Sequence, residues 1–415
     1  MDMRVAIAGA GIAGLTAAWL LEDSHDVVLL EKRAQPGGNL RTFYLPGTGR
    51  VPEAVELGVR EVPSAPDSMV MRLAGELGMD RGHWQPLPSG RLLLSDRDGQ
   101  GRRRTADALE PVPREVAVRA VALMTEHAYR WKSGRLGWEV PLREMVRDFD
   151  LPDWVREVAV YSLPAATFGC TLDEAGALSA RAVGELYAED PSAPAVAGCR
   201  PRGGMQSLAR RLASRLFRAE LALGTALRSV RLRGGGPEVT DTDGCRYRTD
   251  ALVLAVPADE AARTLSPHFF SPARAPLASY AYRPLLYQVH RSTCRMPVDR
   301  RLWAPTTMSV HGARAETTDW HPTSDGDLFV SQISSGAPGP GGPLASASFR
   351  TLQPTPGMLR AQRKLLALQG DDGVFFAGHV TTPVNTLENA LGSAVAVARR
   401  LAPRSRRLAR LLADT

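Results

Sequence analysis

The sequence predicts an α/β fold: a central parallel sheet with helices, interwoven with a second, α+β unit that carries an antiparallel sheet and helices. Three observations lead there. Residues 3–31 read as strand, glycine turn, helix and second strand. Short apolar strands return far along the chain, near residues 250 and 375, the second running directly into a glycine. The two stretches between these pieces differ in character, one helical in pattern and one rich in β-branched residues. A length of 415 residues exceeds one simple core and suits two interwoven domains.

From Met3 to Ala8 the chain is a short apolar run, as a strand buried on both faces should be. Gly9, Gly11 and Gly14 follow at G-x-G-x-x-G spacing. Gly9 allows a tight turn, Gly11 lets the backbone approach a pyrophosphate, and Gly14 lets the helix lie close on the strand. The helix N-terminus beyond offers N–H groups and a partial positive charge to phosphates. Asp26 to Leu30 forms the next strand, and Glu31 stands at its end, 20 residues after Gly11. A carboxylate there accepts hydrogen bonds from ribose hydroxyls. A lone glycine turn often serves only to reverse the chain. Strand, helix, second strand and acid together at this spacing predict nucleotide binding.

Residues 79–197 read as mainly helical, with candidates over 114–132, 141–149, 152–163 and 175–187. After Pro201, Gly203 and Gly204 open a helix whose Leu208, Leu212 and Leu216 form an apolar stripe. Arg210, Arg211, Arg215 and Arg218 make its solvated face. Residues 226–232 and 238–242 pair as strands across a Gly-Gly-Gly-Pro turn, and 250–257 is a buried strand ending in proline. Residues 265–364 read as strand-rich, with strands over 285–290, 308–313 and 328–334. The segment 335–343, SGAPGPGGP, is a flexible loop, read as a surface turn rather than a lid. A strand at 374–377 leads into Gly378, and a helix follows from about Leu387. One domain is therefore expected from 1–78, 198–264 and 365–403, a second from 79–197 and 265–364, and a basic tail, fraying in solvent, from 404–415.

The net charge of +7 is carried almost wholly by arginine, since the only lysines are Lys32, Lys132 and Lys364. Residues 200–236 hold nine arginines against one acid, Glu220, but no nucleic-acid-binding module accompanies them. Cys170, Cys199, Cys245 and Cys294 lack C-x-x-C spacing, and the eight histidines form no H-x-x-x-H or H-E-x-x-H pattern. Neither a disulfide framework nor a metal site is expected. No apolar stretch reaches the roughly 18–20 residues of a membrane span. The N-terminal apolar segment contains the glycine turn and lacks a basic leader, so it does not read as a signal peptide. A soluble cytoplasmic protein is expected, its oligomeric state open.

After Glu31 the chain continues K-R-A-Q-P-G-G-N-L-R-T. Glu31, Arg33, Gly37, Gly38 and Thr42 resemble the E-x-R-x-x-x-G-G-x-x-x-T/S signature of the flavin amine oxidase superfamily. That group includes monoamine and polyamine oxidases, protoporphyrinogen oxidase and phytoene desaturase. The resemblance implies FAD in a Rossmann-type domain. It places the cofactor on the first turn (Gly9, Gly11, Ile12, Ala13, Gly14) and on Glu31. It adds the second glycine pair with its flanks (Lys32, Arg33, Gly37, Gly38, Asn39, Leu40, Arg41), where Arg33 or Arg41 offsets phosphate charge. Gly58 would pack beside the flavin and Val230 beside the adenine. The last strand and helix would contribute Gly378, His379, Leu387 and Asn389, the helix N-terminus stabilising negative charge at flavin N1. The sequence departs from the family at His379, where an aspartate or glutamate is usual.

In such proteins the flavin performs the redox step and the protein supplies orientation, water exclusion and electrostatics. Many amine oxidases set a lysine near flavin N5, yet this chain has none between Lys132 and Lys364. Arginine cannot replace it in proton transfer. Substrate-contact candidates are Tyr280, Tyr282, Tyr287, His290, His311, Trp320 and His321. Among these His311, His321 and Tyr287 are the acid/base candidates, although a strand histidine is more often structural. Trp303 and Trp320 read as anchors of the sheet. The expected activity is FAD-dependent oxidation or desaturation of a small hydrophobic or amine-containing metabolite, with O2 or another acceptor. The rivals are a flavin-dependent double-bond isomerase, a nicotinamide-dependent dehydrogenase and a non-enzymatic protein with a vestigial nucleotide fold.

Overall fold

A computed structural model describes residues 2–45, 53–65, 67–103, 109–187, 198–334 and 337–413. The chain opens with β1 (Arg4–Ala8), α1 (Ile12–Leu21) and β2 (Asp26–Glu31). Val5 to Ala8 are buried, as are all ten residues of α1, because this helix is apolar on every side and is sandwiched between layers. β1 lies at the centre of a five-stranded sheet, in the order Glu220–Leu223, β2, β1, Ala251–Leu254, Val374–Phe376. All four pairings are parallel. Ala8 is level with both Leu30 and Leu254, so three strands end at one edge. In sheets of this kind ligands bind outside that carboxyl edge.

A second sheet of seven strands runs in the order Ala345–Leu352, Tyr282–His290, Gly326–Ile333, Arg314–Thr323, Thr306–His311, Arg91–Ser95, Glu110–Pro111. Two of these strands come from the insert that reads as helical. The run Leu92–Leu93–Leu94 is too short for a helix and instead extends the edge of the existing sheet, pairing parallel with Thr306–His311. Arg114–Ser133 is one long helix, as its periodicity predicts. The other helical candidates are broken. Within 141–149 only Leu142–Met145 is helical, and 152–163 divides into Asp153–Val155, a π-helical turn Arg156–Val160, and the start of Ser162–Phe168. Within 175–187, Ser179 caps a new helix at Ala180–Gly184 with its side chain. Of the loop 335–343 the first two positions lie outside the described residues, as do 104–108 and 188–197 of the helical insert.

The tail does not fray over its described residues, 404–413. Arg406–Leu412 is a helix whose Leu408 and Leu411 are buried against α1 and its neighbours. Arg407 pairs with Glu22, which is fully buried at the end of α1. The Glu22 carboxylate also accepts backbone N–H groups of Phe217, Arg218 and Ala219. Burial opposes its charge, but Arg407 and these N–H groups together hold its pKa below the usual value.

A second carboxyl ties two distant pieces together. Glu56, buried at the end of strand Glu53–Glu56, accepts the Met205 N–H at 2.8 Å and the Thr42 hydroxyl at 2.9 Å. Burial raises its pKa from 4.5 to about 7, despite the opposing pull of these bonds. A carboxyl with a raised folded pKa binds its proton more tightly in the native chain. Stability is therefore lost as pH climbs from 4.5 towards 7. At roughly 1.4 kcal/mol per pKa unit, the loss reaches at most about 3 kcal/mol. Glu56→Gln should be the more stable protein at pH 8 and not at pH 5, in urea unfolding followed at both. Parallel stability changes in the two proteins would refute this origin.

Candidate functional site

Where β1, β2 and Ala251–Leu254 end, a cavity of about 620 Å3 opens. Its walls are the start of α1, segments within 30–41 and 255–264, the turn 377–380 and residues 385–390. The edge strand Ala345–Leu352 closes the far side with Ser348, Phe349 and Arg350.

The three glycines of the first turn are needed for different reasons. Gly9 has φ +98°, and a β-carbon there would lie 2.5 Å from the Ala255 carbonyl oxygen. A β-carbon at Gly14 would lie 1.9 Å from the Gly9 carbonyl oxygen, so helix and turn are in direct contact. At Gly11 the nearest atom would be the Gly38 α-carbon, 3.9 Å away. The protein itself has room for a side chain at 11, and that room is cavity. The glycine there leaves space for whatever approaches from the cavity, which is what a pyrophosphate requires. No side chain caps α1, so its N-terminal N–H groups and partial positive charge face the same space.

The second glycine pair is locked onto this turn. Gly37 N–H donates to Ala10 O at 2.8 Å. Glu31 accepts the Ala10 N–H at 2.7 Å and the Arg33 N–H at 2.9 Å, which orients its carboxylate at the cavity wall. Arg33 and Arg41 both donate to the Gly38 carbonyl, at 2.9 and 3.3 Å. Burial lowers the Arg41 pKa, and the neighbouring Arg33 charge lowers it further. Two like charges held at one carbonyl beside a helix N-terminus make a cradle for an anion. Lys32, just after β2, pairs with Glu260 at 2.7 Å, and Arg350 with Asp259 at 3.0 Å, so the helix Ala258–Thr264 links the end of β2 to the edge strand of the seven-stranded sheet.

At the opposite end, the helix Leu387–Leu401 begins at the wall with Asn385, Thr386 and Leu387. Thr386 caps it by accepting the Asn389 N–H at 3.1 Å. Its Glu388 turns away and accepts the Met69 and Val70 N–H groups, capping the helix Met69–Glu76. Gly378 N–H donates to Ser393 Oγ, which anchors the turn bearing His379 at the wall. Burial alone lowers the His379 pKa to about 4, so the ring is neutral.

Most residues singled out from the sequence line this cavity, but several do not. Gly14 packs behind the turn. Gly58 is not in the wall: a β-carbon there would lie 1.9 Å from the Asn39 carbonyl oxygen, and its neighbour Val59 lines the cavity instead. Val230 is fully buried inside the three-stranded sheet, and Ala226, Leu227 and Arg228 present the surface expected of it. The Asn389 side chain is taken by the Val384 carbonyl at 3.0 Å. The wall residues missed are chiefly Phe349, Arg350 and Ala255 to Pro257. The last three sit at a parallel-strand carboxyl end, a signal that pointed to them.

The acid/base candidates separate. His311 lies exposed at the end of strand Thr306–His311, away from the cavity wall. His321 and Tyr287 gather around a buried ion pair, Arg60 with Asp319. The Arg60 guanidinium stacks 4.8 Å from the centre of the Tyr287 ring. Burial raises the Tyr287 pKa and lowers that of His321 to about 4. Tyr287 meets the wall residue Phe349 edge-on at 6.0 Å. His290 is wholly buried against Ser331, and Trp320 packs on Trp303 at 5.3 Å, both as sheet structure. Tyr282 lines the cavity, and Tyr280 donates to the Val380 carbonyl at 2.6 Å.

The family model of flavin-containing amine oxidoreductases matches residues 12–346. No curated protein sequence matches the chain. Among solved structures it is similar to cyclohexylamine oxidase from Brevibacterium oxydans IH-35A, with TM-score 0.69 and 15% identity over 97% of this chain and 100% of that one. Putrescine oxidase bound to putrescine gives 0.69 and 16% over 97% and 100%. The CLA-producing fatty acid isomerase from P. acnes gives 0.68 and 14% over 97% and 99%. At these identities the likeness is one of fold.

The glycine contacts predict an asymmetry. Gly14→Ala should cost about 1–3 kcal/mol of stability, as overpacking against a backbone oxygen does. Gly11→Ala, whose backbone is already extended at φ −71°, should leave thermal unfolding unchanged. Equal destabilisation by the two would show that the room at Gly11 is not real.

Proposed function

Because the chain belongs to the flavin-containing amine oxidoreductases, with FAD as its cofactor, we propose that it oxidises or desaturates a small hydrophobic or amine-containing metabolite. The observation that carries this reading is the dinucleotide cradle at Gly11, open on the cavity side and closed by an apolar wall at the far end. The residues present fit the cofactor. Gly11, Gly38 and the α1 N-terminus would receive the pyrophosphate, Arg33 and Arg41 would offset its charge, and Glu31 would accept the ribose hydroxyls. The N-terminus of Leu387–Leu401 would face the flavin ring. When bound, FAD would supply the two-electron acceptor for oxidation of a substrate C–H bond.

The protein's part is then binding, orientation and exclusion of water. Val59, Pro284, Phe349 and Leu387 give the cavity an apolar lining. The one lysine in the wall, Lys32, is next in sequence to the ribose-binding Glu31 and is held by Glu260. A substrate that needs no lysine-assisted proton transfer suits this wall, which favours carbon–carbon desaturation or oxidation of a hydrophobic amine. The same absence favours a second reading, a double-bond isomerase that returns the hydride to another carbon. The fold is shared by oxidases and by a fatty acid isomerase. Under anaerobic conditions an oxidase bleaches the flavin once and stops, whereas an isomerase continues to turn over.

The visible spectrum of the purified protein, before and after denaturation and filtration, tests the reading. Flavin bands released as free FAD are expected, and a colourless protein that takes up no FAD would overturn it. Glu31→Ala should weaken FAD binding by roughly 1.5–3 kcal/mol, the worth of charge-assisted hydrogen bonds, or about tenfold to a hundredfold. Gly11→Ala should lose FAD while remaining folded. Fluorescence titration of FAD measures both.

A further inference from the structure

We propose that His379 is a proton-accepting FAD ligand, so that one proton enters the protein from solvent as the cofactor binds. The inference rests on FAD occupying the cavity described above. Three features of the position carry it. The ring is in the cavity wall, on the turn between the last parallel strand and the helix Leu387–Leu401. That turn lies against the α1 N-terminus, since a β-carbon at Gly378 would come within 3.6 Å of the Ala13 β-carbon. And among the described residues the imidazole has no hydrogen-bond partner, although the groups around it do.

The surroundings are neutral on every side. Gly378 N–H is taken by Ser393, and the Val380 carbonyl by the Tyr280 hydroxyl and the Gln362 amide. Gln362 also holds the Thr382 carbonyl. The start of α1 and the segment Ala255 to Pro257 bring only apolar and backbone groups. Glu388, the charged residue nearest in sequence, is turned to Met69 and Val70. The charged groups of the cavity wall are Glu31, Lys32, Arg33, Arg41, Arg228, Glu260, Arg263 and Arg350, and none of them moves the His379 equilibrium. Without FAD, burial is the single influence, and it keeps the ring neutral down to about pH 4.

Two phosphate charges brought to the α1 N-terminus change this balance. A negative charge close to an imidazole favours the imidazolium, so the pKa in the complex lies above that in the empty cavity. Between those two values the bound form holds more protons than the free form. FAD affinity must then rise as pH falls, by up to about tenfold per unit for a single proton.

The test is calorimetric titration of full-length protein, freed of cofactor, with FAD at pH 6 and pH 8. Each titration is run in two buffers of different ionisation enthalpy. Wild type should bind FAD more tightly at pH 6, with a buffer-dependent heat that reports proton uptake. His379→Gln, a neutral donor and acceptor, should show neither the pH dependence nor the uptake. Wild-type binding with the same affinity at both pH values and no buffer-dependent heat overturns the proposal, whatever the variant does. So does a variant that retains the full wild-type uptake. Failure to bind FAD at any pH is a separate outcome, which overturns the cofactor reading on which the proposal stands.

Discussion

The contact between α1 and the turn that precedes it constrains everything else in this protein. With a virtual β-carbon at Gly14 only 1.9 Å from the Gly9 oxygen, the helix can approach no closer and tolerates no side chain at that point. That approach sets the height of the α1 N-terminus above the sheet edge. It also decides which residues can meet it: Gly38 from the second glycine pair, Ala255 from the fourth strand and Gly378 from the last. The cavity is thus defined by backbone approaching backbone. Its floor depends little on side-chain rotamers, which suits a site that must hold an extended, charged ligand in one orientation.

Around this contact, buried and half-buried glutamates tie distant segments together. Glu22 holds the N–H groups of 217–219, Glu31 that of Ala10, Glu56 that of Met205, and Glu388 those of Met69 and Val70. Each carboxylate accepts from backbone donors left open at a turn or helix start, where it is worth more than a neutral acceptor. The parallel-sheet unit is assembled from three separated pieces, and these four side chains span the joins between them or close a turn within one. A charge count hides this, because three of the four, Glu22, Glu31 and Glu56, are buried.

How much of this was legible in the sequence follows from the range of the interactions. The first βαβ unit, the helix Arg114–Ser133 and the glycine pair are local patterns, and the structure has them where spacing puts them. The strand Arg91–Ser95 was hidden because its partner lies more than 200 residues away, at Thr306–His311. The family resemblance sets Val230 beside the adenine, whereas Val230 is buried and, on the other side of a register irregularity at 227–229, Ala226 to Arg228 line the cavity. The helical insert broke up where Pro152, Pro164 and the capping residue Ser179 interrupt its pattern. His321 and Tyr287 could be named as chemistry-bearing residues, but their attachment to Arg60 and Asp319 required the pairing of strands far apart in the chain. The docked C-terminal helix depends on Glu22, a partner nearly four hundred residues upstream, which a pattern of leucines and arginines does not reveal.

That last pairing bears on how the molecule comes into being. Both neighbours of β1 must be in place before its ladder is complete, yet one of them begins at Ala251, the outer strand after it at Val374, and the helix that covers Glu22 at Arg406. Long-range pairing of this kind makes folding slow, because loop closure is spent before contacts reward it. A nascent chain carries an apolar β1 with only β2 beside it until the strand Ala251–Leu254 is made, and an apolar α1 not fully covered until the helix Leu387–Leu401 is made. Such a segment is exposed to aggregation until the elements that complete its cover, Val374–Phe376 and Leu387–Leu401, have been made. The nucleotide cavity that residues 4–31 begin is complete only when Val374–Phe376 and Leu387–Leu401 have joined it.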